Sequence, residues 1–224
     1  MRNCRLRQLG RIDYASALEL QRQLATSRKQ GTVPDHLLLL EHPHVITLGR
    51  NGHLENLLAG DHILERAGIA FYPTDRGGDV TYHGPGQLVG YPILDLRDWQ
   101  RDVGAYVRAL EQAIIDTLAD FGIVAGRIPK LTGVWVSDRH TQAKIAAIGV
   151  HLSRWVTSHG FALNVSTDLT YFQYIVPCGL TLPVTSMAAL GIRATLDEVG
   201  ERFTRHFARI FDFEMLPGAS LAAA

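Results

Sequence analysis

The sequence predicts a mixed α/β domain of the α+β type, with helices packed on a mixed β-sheet. Helical and strand patterns alternate irregularly along the chain, which favours this class. The length of 224 residues suits one domain with a sizeable core and is short for two. Hydrophobic residues make up 46% of the chain and charged residues 20%, as in ordinary globular proteins. We therefore expect one domain over residues 1–216 and a flexible tail over residues 217–224.

Each element follows from a local signal. Apolar runs bounded by turn residues predict strands, and capped stretches with a 3.6-residue apolar period predict helices. The clearest helix covers residues 103–121, where an apolar stripe continues until Gly122 stops it. In chain order the other elements are a strand at 4–9, a helix from the cap Asp13 to Lys29, strands at 36–41 and 45–48, a short helix at 61–67, strands at 69–72, 79–82, 87–93, 133–136, 144–152 and 161–165, and a last helix at 195–210.

Charge content argues against a nucleic-acid-binding protein. The 22 basic and 22 acidic residues give a net charge of zero, whereas a broad nucleic-acid footprint needs a basic excess. Arg50, Arg127, Lys130 and Arg154 could still meet an acidic partner, although isolated solvated charges explain them better.

Cysteine content and hydropathy indicate a soluble protein of the cytoplasm. The N-terminus lacks the apolar stretch of a signal peptide, and no apolar run is long enough to span a membrane. The two cysteines, Cys4 and Cys178, are too few for a disulfide framework or for the four ligands of a structural zinc site. We therefore expect free thiols in a reducing compartment.

Four segments depart from the pattern of plain strands and turns. The first, residues 76–87, reads RGGDVTYHGPGQ. Its glycines permit sharp bends and the close approach of a ligand, but it matches neither a dinucleotide-binding motif nor a P-loop. The alternative is a tight hairpin between two strands. Arg76, Tyr82, His83 and Gln87 supply polar groups that a plain turn does not need, and these favour a binding loop.

The second and third segments are strands with unusual residues. Residues 143–150 read AKIAAIGV, in which Lys144 is flanked by apolar residues. A buried lysine is costly unless it is paired, and burial favours the neutral amine of a base, whereas the alternative is an ammonium that reaches solvent. Residues 159–165 read HGFALNV, and their small residues could wall a slot for a thin apolar chain. The alternative for the small residues is tight packing against a helix.

The fourth segment, residues 176–180, reads VPCGL. A cysteine between proline and glycine lies in a turn, where its sulfur can be exposed and oriented. The alternative is a buried thiol that acts as a small hydrophobe. That role suits Cys4, on an amphipathic strand, better than Cys178.

In this order the four segments resemble those of the lipoyl(octanoyl) transferases. The matching stretches are RGGDVTYHGPGQLVGYPI from Arg76, KIAAIGVHL from Lys144, SHGFALNV from Ser158 and PCG at Cys178. Each motif is modestly specific and the ordered set is highly specific. The resemblance covers most of the chain and departs from the family after the cysteine, where Leu-Thr-Leu replaces the usual Ile-x-Gly.

The resemblance implies a fold, a reaction and a set of site residues. The fold is the catalytic domain shared by biotin protein ligases and lipoate-protein ligases. Cys178 would be the acyl-thioester nucleophile, and Lys144 would lower its pKa. The implied substrate-binding residues are Arg76, Gly77, Gly78, Asp79, Val80, Thr81, Tyr82, His83, Ala147, Ile148, Gly149, Gly160, Phe161 and Ala162.

The implied partners follow from the same resemblance. Octanoyl-acyl carrier protein would be the donor, and lipoyl domains of 2-oxoacid dehydrogenases and the glycine cleavage H protein would be the acceptors. No cofactor, metal, nucleic acid or membrane is expected, and the protein is expected to be a monomer. Thioester exchange needs no ATP, because the donor is already activated.

Other functions remain open from the residues alone. An ATP-dependent lipoate- or biotin-type ligase would share the fold but need no cysteine nucleophile. A non-catalytic acyl-binding module would need neither Lys144 nor Cys178, and a thioester hydrolase would use water as the acceptor. His83 is a candidate for orienting the site or the acyl carbonyl, and His159 is a weaker candidate for a site residue.

Overall fold

The computed structural model describes residues 1–137, 142–176 and 182–218. Within these ranges the strands form an eight-stranded and a three-stranded sheet. In chain order the elements are β1 (Arg2–Arg11), α1 (Tyr14–Lys29), β2 (Asp35–Glu41), β3 (Val45–Leu48), α2 (Asp61–Arg66), β4 (Ala70–Pro73), β5 (Val80–His83), β6 (Gln87–Ile93), α3 (Val103–Ala119), β7 (Ala125–Ile128), β8 (Leu131–Ser137), β9 (Gln142–Ser153), β10 (Val156–Asn164), α4 (Leu196–Phe211) and β11 (Phe213–Pro217).

The large sheet is mixed, which confirms the predicted fold class. Its strand order is β11-β1-β2-β6-β10-β9-β8-β7. The contacts of β1 with β2 and β11 are parallel, and the other contacts in this sheet are antiparallel. The four consecutive leucines of β2 are explained by burial on both faces, since successive side chains of a strand point in opposite directions. Leu37 and Leu39 join the main core cluster, whereas Leu38 and Leu40 pack with Ala17 of α1.

Two helices cover one face of this sheet and one covers the other. Helices α3 and α4 contribute Leu110, Ile114, Phe203 and Phe207 to the main core. Helix α4 begins as predicted at a capping box, in which Thr195 and Glu198 exchange hydrogen bonds. Helix α1 begins at Asp13, as predicted, because its side chain accepts from the N–H of Ser16. No helix in the described ranges is both long and apolar enough to span a membrane.

The hairpin interpretation of residues 76–87 is wrong. Strand β5 pairs antiparallel with β3 in the small sheet, whose order is β4-β3-β5. Strand β6 instead lies between β2 and β10 in the large sheet. The turn between them therefore carries the chain from one sheet to the other. Its end is fixed where the N–H of Gly86, at φ +80°, donates to Glu41.

The sequence did not predict β7 or β11. Strand β7 is four residues long and has no alternation of apolar residues, and β11 forms only by parallel pairing with β1 at the sheet edge. In β11, Pro217 lies opposite Leu6, and the N–H of Gly218 donates to the Leu6 carbonyl. These two residues of the predicted tail are thus paired with β1. The remaining tail residues, 219–224, lie outside the described ranges.

Candidate active site

A cavity of about 470 Å³ lies where residues 76–87, termed the glycine loop, cross strands β9 and β10. The predicted site residues that line it are Arg76, Gly77, Gly78, Asp79, Thr81, His83, Ala147, Ile148, Gly149, Gly160, Phe161 and Ala162. This cavity is termed the loop cavity.

Val80 and Tyr82 do not line the loop cavity, unlike the other predicted residues of the glycine loop, and their part in substrate binding stays a prediction. Both are fully buried in the core of the small sheet, beside Ile46. The reason is the period-two geometry of β5, which turns Thr81 and His83 toward the cavity and the intervening residues away from it.

Arg76 and Gly77 hold the glycine loop against the small and the large sheet, respectively. Its guanidinium donates to Thr47 Oγ1 from Nε at 3.1 Å and from a terminal nitrogen at 2.9 Å. The same nitrogen donates to the Thr47 carbonyl at 2.7 Å. The N–H of Gly77 donates to the Val150 carbonyl of β9 at 2.9 Å. These contacts use the guanidinium mainly to anchor the loop, although Arg76 also lines the cavity.

Asp79 extends the anchoring to a neighbouring turn. Its carboxylate accepts from its own neighbour Val80 and from the N–H of His53 at 3.0 Å. It also accepts from the side-chain amide of Asn56. The glycine loop and the turn at Leu54–Asn56 are therefore one connected unit.

Gly149 on β9 and Gly160 on β10 make room for neighbouring backbone and not for a packed helix. A Cβ on Gly149 would lie 2.7 Å from the Gly77 carbonyl oxygen, and one on Gly160 would collide with the Gly90 carbonyl oxygen. The two glycines are opposite each other, as are Ala147 and Ala162. Helix packing, the alternative from the sequence, therefore does not explain the glycines. Gly149 lets the glycine loop cross close to β9, and Gly160 leaves room for the backbone of the neighbouring strand β6. The alanines keep the cavity wall low and apolar.

His83 is buried and neutral. Burial lowers the pKa of His83 to about 3, so the imidazole carries no charge near pH 7. Gln87 Nε2 donates to Asn164 Oδ1 at 2.9 Å, so Gln87 Oε1 is the acceptor for His83 Nδ1 at 2.8 Å. This leaves the proton on Nδ1 and a lone pair on Nε2. In this tautomer His83 Nε2 is an acceptor and not a donor, and its role in orienting the site stays a prediction.

Sequence patterns did not identify most of the aromatic and histidine side chains that lie near the loop cavity. His42 donates to the Ile12 carbonyl at 2.7 Å and accepts from Tyr91 Oη at 2.8 Å. Burial lowers the pKa of His42 to about 4. Tyr14, Tyr91 and His159 line the cavity. The two tyrosines have no local signal, because their positions fit an ordinary apolar stripe and strand.

Lys144 is buried, so the alternative of a lysine that reaches solvent is wrong. It is 7% exposed and lines a second cavity of about 290 Å³, termed the lysine cavity. The lysine cavity shares Thr81, Ala147 and Ala162 with the loop cavity. The structure thus brings Lys144 beside the predicted binding segments.

A β-bulge at Ile145 turns Lys144 toward this cavity. Val134 of β8 pairs with Ala146, but the next residue, Trp135, pairs with Lys144, so Ile145 is an extra residue in β9. Ile145 and Ala146 both pack in the main core, whereas Lys144 lines the cavity. Without the bulge, strict alternation would point Lys144 into the core.

Cys178 lies in residues 177–181, outside the described ranges, so its contact with Lys144 stays a prediction. The described chain after it is bound to Lys144 directly. The N–H of Lys144 donates to the Pro183 carbonyl at 2.9 Å, and the N–H of Thr185 donates to the Lys144 carbonyl at 2.9 Å. Cys4 is fully buried, which raises the pKa of its thiol. Its predicted role as a small buried hydrophobe is confirmed.

Known proteins resemble this chain in sequence. The octanoyltransferase of Solibacter usitatus is 90% identical over 224 residues, covering 100% of both chains. The octanoyltransferase of Koribacter versatilis is 54% identical over 93% of this chain and 84% of its own. A family model, the lipoyl protein ligase A/B catalytic domain, matches residues 13–208.

Solved structures share the fold at low sequence identity. A bi-partite lipoate protein ligase from Thermoplasma acidophilum matches with a TM-score of 0.78 and 18% identity, over 100% of this chain and 89% of its own. The biotin protein ligase of Aquifex aeolicus matches with a TM-score of 0.52 and 11% identity, over 95% of this chain and 70% of its own. These two likenesses concern the fold alone. The sequence matches and the family model together show that the chain belongs to the octanoyltransferases, within the lipoyl protein ligase A/B catalytic domain family.

Proposed function

We propose that this octanoyltransferase moves an octanoyl group from octanoyl-acyl carrier protein to a lysine of a lipoyl domain through a thioester on Cys178. The observation that carries the proposal is the adjacency of the loop cavity and the lysine cavity, which share Thr81, Ala147 and Ala162. One cavity suits an acyl chain, and the other presents a buried amine where that chain would end. The proposed acceptors are the lipoyl domains of 2-oxoacid dehydrogenases and the glycine cleavage H protein.

The acyl chain would lie along the apolar wall of the loop cavity. Ala147, Ile148, Phe161 and Ala162 supply that wall, and the anchored glycine loop covers it. Burial of each methylene contributes about 0.8 kcal/mol, so a fitted chain provides affinity without any charged contact. An enclosed wall also keeps water from the thioester, which disfavours hydrolysis.

In the first step, the Cys178 thiolate would attack the donor thioester carbonyl. The new carbon–sulfur bond forms as the carrier's thiolate leaves, so one thioester replaces another and no ATP is consumed. The leaving thiolate would take a proton from the Lys144 ammonium, which leaves Lys144 neutral for the second step. A free cysteine has a pKa of about 8.5, so an ammonium on Lys144 beside it would raise the thiolate fraction.

In the second step, the acceptor lysine would attack the acyl-enzyme. An ammonium is not nucleophilic, so the acceptor lysine would react after losing one proton to solvent. Lys144, left neutral by the first step, would take the second proton from the attacking nitrogen and become an ammonium again. The amide bond then forms, the bond to sulfur breaks, and Cys178 leaves as a thiolate. The oxyanion of the tetrahedral intermediate would need hydrogen-bond donors, and we propose the backbone N–H groups of Gly78 and Cys178. The N–H of Gly77 is already bonded to the Val150 carbonyl.

Intact-mass spectrometry tests the nucleophile. Wild type mixed with octanoyl-acyl carrier protein is expected to gain one octanoyl group, and Cys178→Ser is expected to gain none. Cys4→Ser is the matched control and should keep the adduct, because Cys4 is fully buried in the core. An adduct that persists on Cys178→Ser would overturn the thioester step.

The same assay separates the rival functions. An ATP-dependent ligase would transfer octanoate only with ATP, whereas the proposal requires transfer from the carrier without it. A hydrolase would release octanoate in the absence of a lipoyl domain, and a binding module would form no covalent adduct. Transfer to the lipoyl-domain lysine without ATP supports the proposal.

Lys144 is tested by alkylation of Cys178. Lys144→Ala should slow iodoacetamide labelling of Cys178 near pH 7, because the thiolate loses its neighbouring ammonium. The effect should shrink as pH rises above the ordinary cysteine pKa of about 8.5. Lys130→Ala is the control, since Lys130 lies in the turn between β7 and β8. Identical pH profiles for wild type and Lys144→Ala would contradict the pairing.

A further inference from the structure

Trp135 lies directly opposite Lys144 on the neighbouring antiparallel strand β8. Residues opposite each other in such a pair place their side chains on the same face of the sheet. The Lys144 Nζ is 4.8 Å from the centroid of the indole ring, within the distance of a cation–π contact. The two side chains therefore meet as a pair on the side of the sheet to which the bulge turns Lys144.

The contact is shielded from solvent. Trp135 is 2% exposed and Lys144 is 7% exposed. A cation over an aromatic face is held more firmly when both groups are desolvated, because water no longer competes for the ammonium. Indole has the strongest ring quadrupole of the natural side chains, so Trp suits this purpose better than Phe or Tyr.

The backbone before Trp135 is held by a buried carboxylate. Glu111 of α3 is fully buried and accepts from the N–H of Gly133 at 3.0 Å, while Arg108 and Arg127 donate to its other oxygen at 2.6 and 2.9 Å. Gly133 has a φ of +123°, and a Cβ there would lie 2.6 Å from the Ala146 carbonyl oxygen. Arg127, considered above for an acidic partner, is thus committed to Glu111. These contacts fix the course of β8 at the residue that faces Lys144.

The indole of Trp135 also has a polar edge, the Nε1–H group. Within residues 1–137, 142–176 and 182–218, Trp135 Nε1 has no hydrogen-bond partner. A buried N–H without a partner is unfavourable, and a phenyl ring would avoid it. The indole face beneath the Lys144 ammonium gives tryptophan a use at this position that does not depend on its N–H.

We propose that Trp135 is a positioning residue for the reaction, whose indole face holds the Lys144 ammonium in the lysine cavity. It acts through Lys144 and not by touching the substrate. The proposal that this affects catalysis rests on the proposed function of Lys144. The bulge at Ile145 determines the face on which Lys144 lies, and Trp135 determines where on that face its nitrogen is held.

The lysine count allows a direct test in the protein without substrate. The chain has three lysines, Lys29, Lys130 and Lys144, so protein labelled with ¹³C-lysine gives three sets of ε-methylene signals. Lys144→Arg assigns one set by its loss. Ring current from the indole should shift the Lys144 signal upfield, and Trp135→Leu should return it to the position of an ordinary lysine. Trp155→Leu is the control, because Trp155 is 37% exposed in the turn between β9 and β10.

Activity provides the second measurement. Trp135→Leu should slow acyl-enzyme formation about tenfold, and Trp135→Phe should recover part of the rate, because a phenyl ring keeps a weaker cation–π contact. An unshifted Lys144 signal in wild type, or one unchanged in Trp135→Leu, overturns the proposal. If Trp135→Leu fails to fold, Trp135→Phe decides the test. Its Lys144 signal must lie between the wild-type position and that of an ordinary lysine. Full activity of Lys144→Ala would overturn the proposed catalytic role of Lys144. The NMR signal of Lys144 would still test its contact with Trp135, because that measurement does not depend on activity.

Discussion

Asp75 Oδ1 accepts a hydrogen bond of 2.7 Å from His159 Nε2, which joins the residue before the glycine loop to strand β10. His159 has a φ of +56°, and its N–H donates to Gln21 of α1 at 2.7 Å. The hydrogen bond to His159 lowers the pKa of Asp75, whereas burial lowers the pKa of His159. A neutral imidazole therefore donates to a carboxylate and holds the start of the glycine loop against β10. Arg76 holds the same part of the loop against Thr47 of β3.

Removal of this fastening should loosen the glycine loop. Asp75→Ala deletes a charge-assisted hydrogen bond, but the Asp75 side chain is 55% exposed, so we expect a cost of only about 1 kcal/mol. Acyl-enzyme formation should slow about fivefold with little change in global stability. Asp61→Ala, an exposed carboxylate in the first turn of α2, is the matched control. Equal rates for the two variants would show that the contact does not position the loop.

Gly149→Ala should push the glycine loop away from the sheet. The added Cβ would lie 2.7 Å from the Gly77 carbonyl oxygen and 3.2 Å from Arg76 Cδ, and backbone cannot move aside as a flexible side chain can. Overpacking of this kind costs about 1–3 kcal/mol, which exceeds the roughly 0.4–1 kcal/mol gained from a stiffer unfolded chain. The melting temperature should fall by a few degrees.

Gly126→Ala is the control for this experiment, because a Cβ at Gly126 meets no atom within 4 Å. Its melting temperature should equal or slightly exceed that of wild type. Differential scanning calorimetry measures both variants. A Gly149→Ala variant as stable as Gly126→Ala would mean that the loop does not approach β9 as closely as described.

The isosteric substitution Thr47→Val tests whether Thr47 anchors Arg76. Thr47 is fully buried, and its hydroxyl accepts two of the guanidinium's hydrogen bonds. Valine keeps the shape but leaves buried charged donors with fewer acceptors, so the free energy of unfolding should fall by about 1–3 kcal/mol. Urea titration should show a lower midpoint with an unchanged slope. Thr132→Val, an exposed position on β8, should leave the midpoint in place.

Local signals predicted most elements of the fold. Asp13 and Thr195 cap α1 and α4 as expected, because capping depends only on residues within one turn. Strand β11 was missed, since its existence depends on pairing with β1 from the other end of the chain. The partner of β5 was also missed, because a turn of glycines and proline does not reveal which sheet receives each strand.

The sequence predicted which segments form the site, but not how their side chains are arranged in space. Motif order brought the glycine loop, Lys144 and the small residues of β9 and β10 into one hypothesis, and the structure places them around two adjoining cavities. The bulge at Ile145 could not be predicted, because an extra residue in a strand is visible only against its partner. Trp135 was overlooked for the same reason, because the pairing register of β8 with β9 places it opposite Lys144 and this register cannot be read from the sequence.

Buried neutral histidines should make the protein less stable in mild acid. Burial lowers the pKa of His42 from 6.5 to about 4, so between these values the unfolded chain takes up a proton that the folded protein does not. The contribution of His42 is therefore complete above pH 6.5 and is lost as pH falls toward 4. From pH 7 to pH 5 this amounts to about 2 kcal/mol.

Urea unfolding of His42→Gln at both pH values checks this linkage. The variant is expected to lose about 2 kcal/mol less than wild type between pH 7 and pH 5, even if it is less stable at both, because glutamine does not titrate. His53→Gln, whose side chain is 69% exposed, should follow the wild-type dependence. Parallel losses for wild type and His42→Gln would mean that His42 is already protonated in the folded protein at pH 5. Its Nε2 could then no longer accept from Tyr91, so the hydrogen bond between them would have to be broken as well.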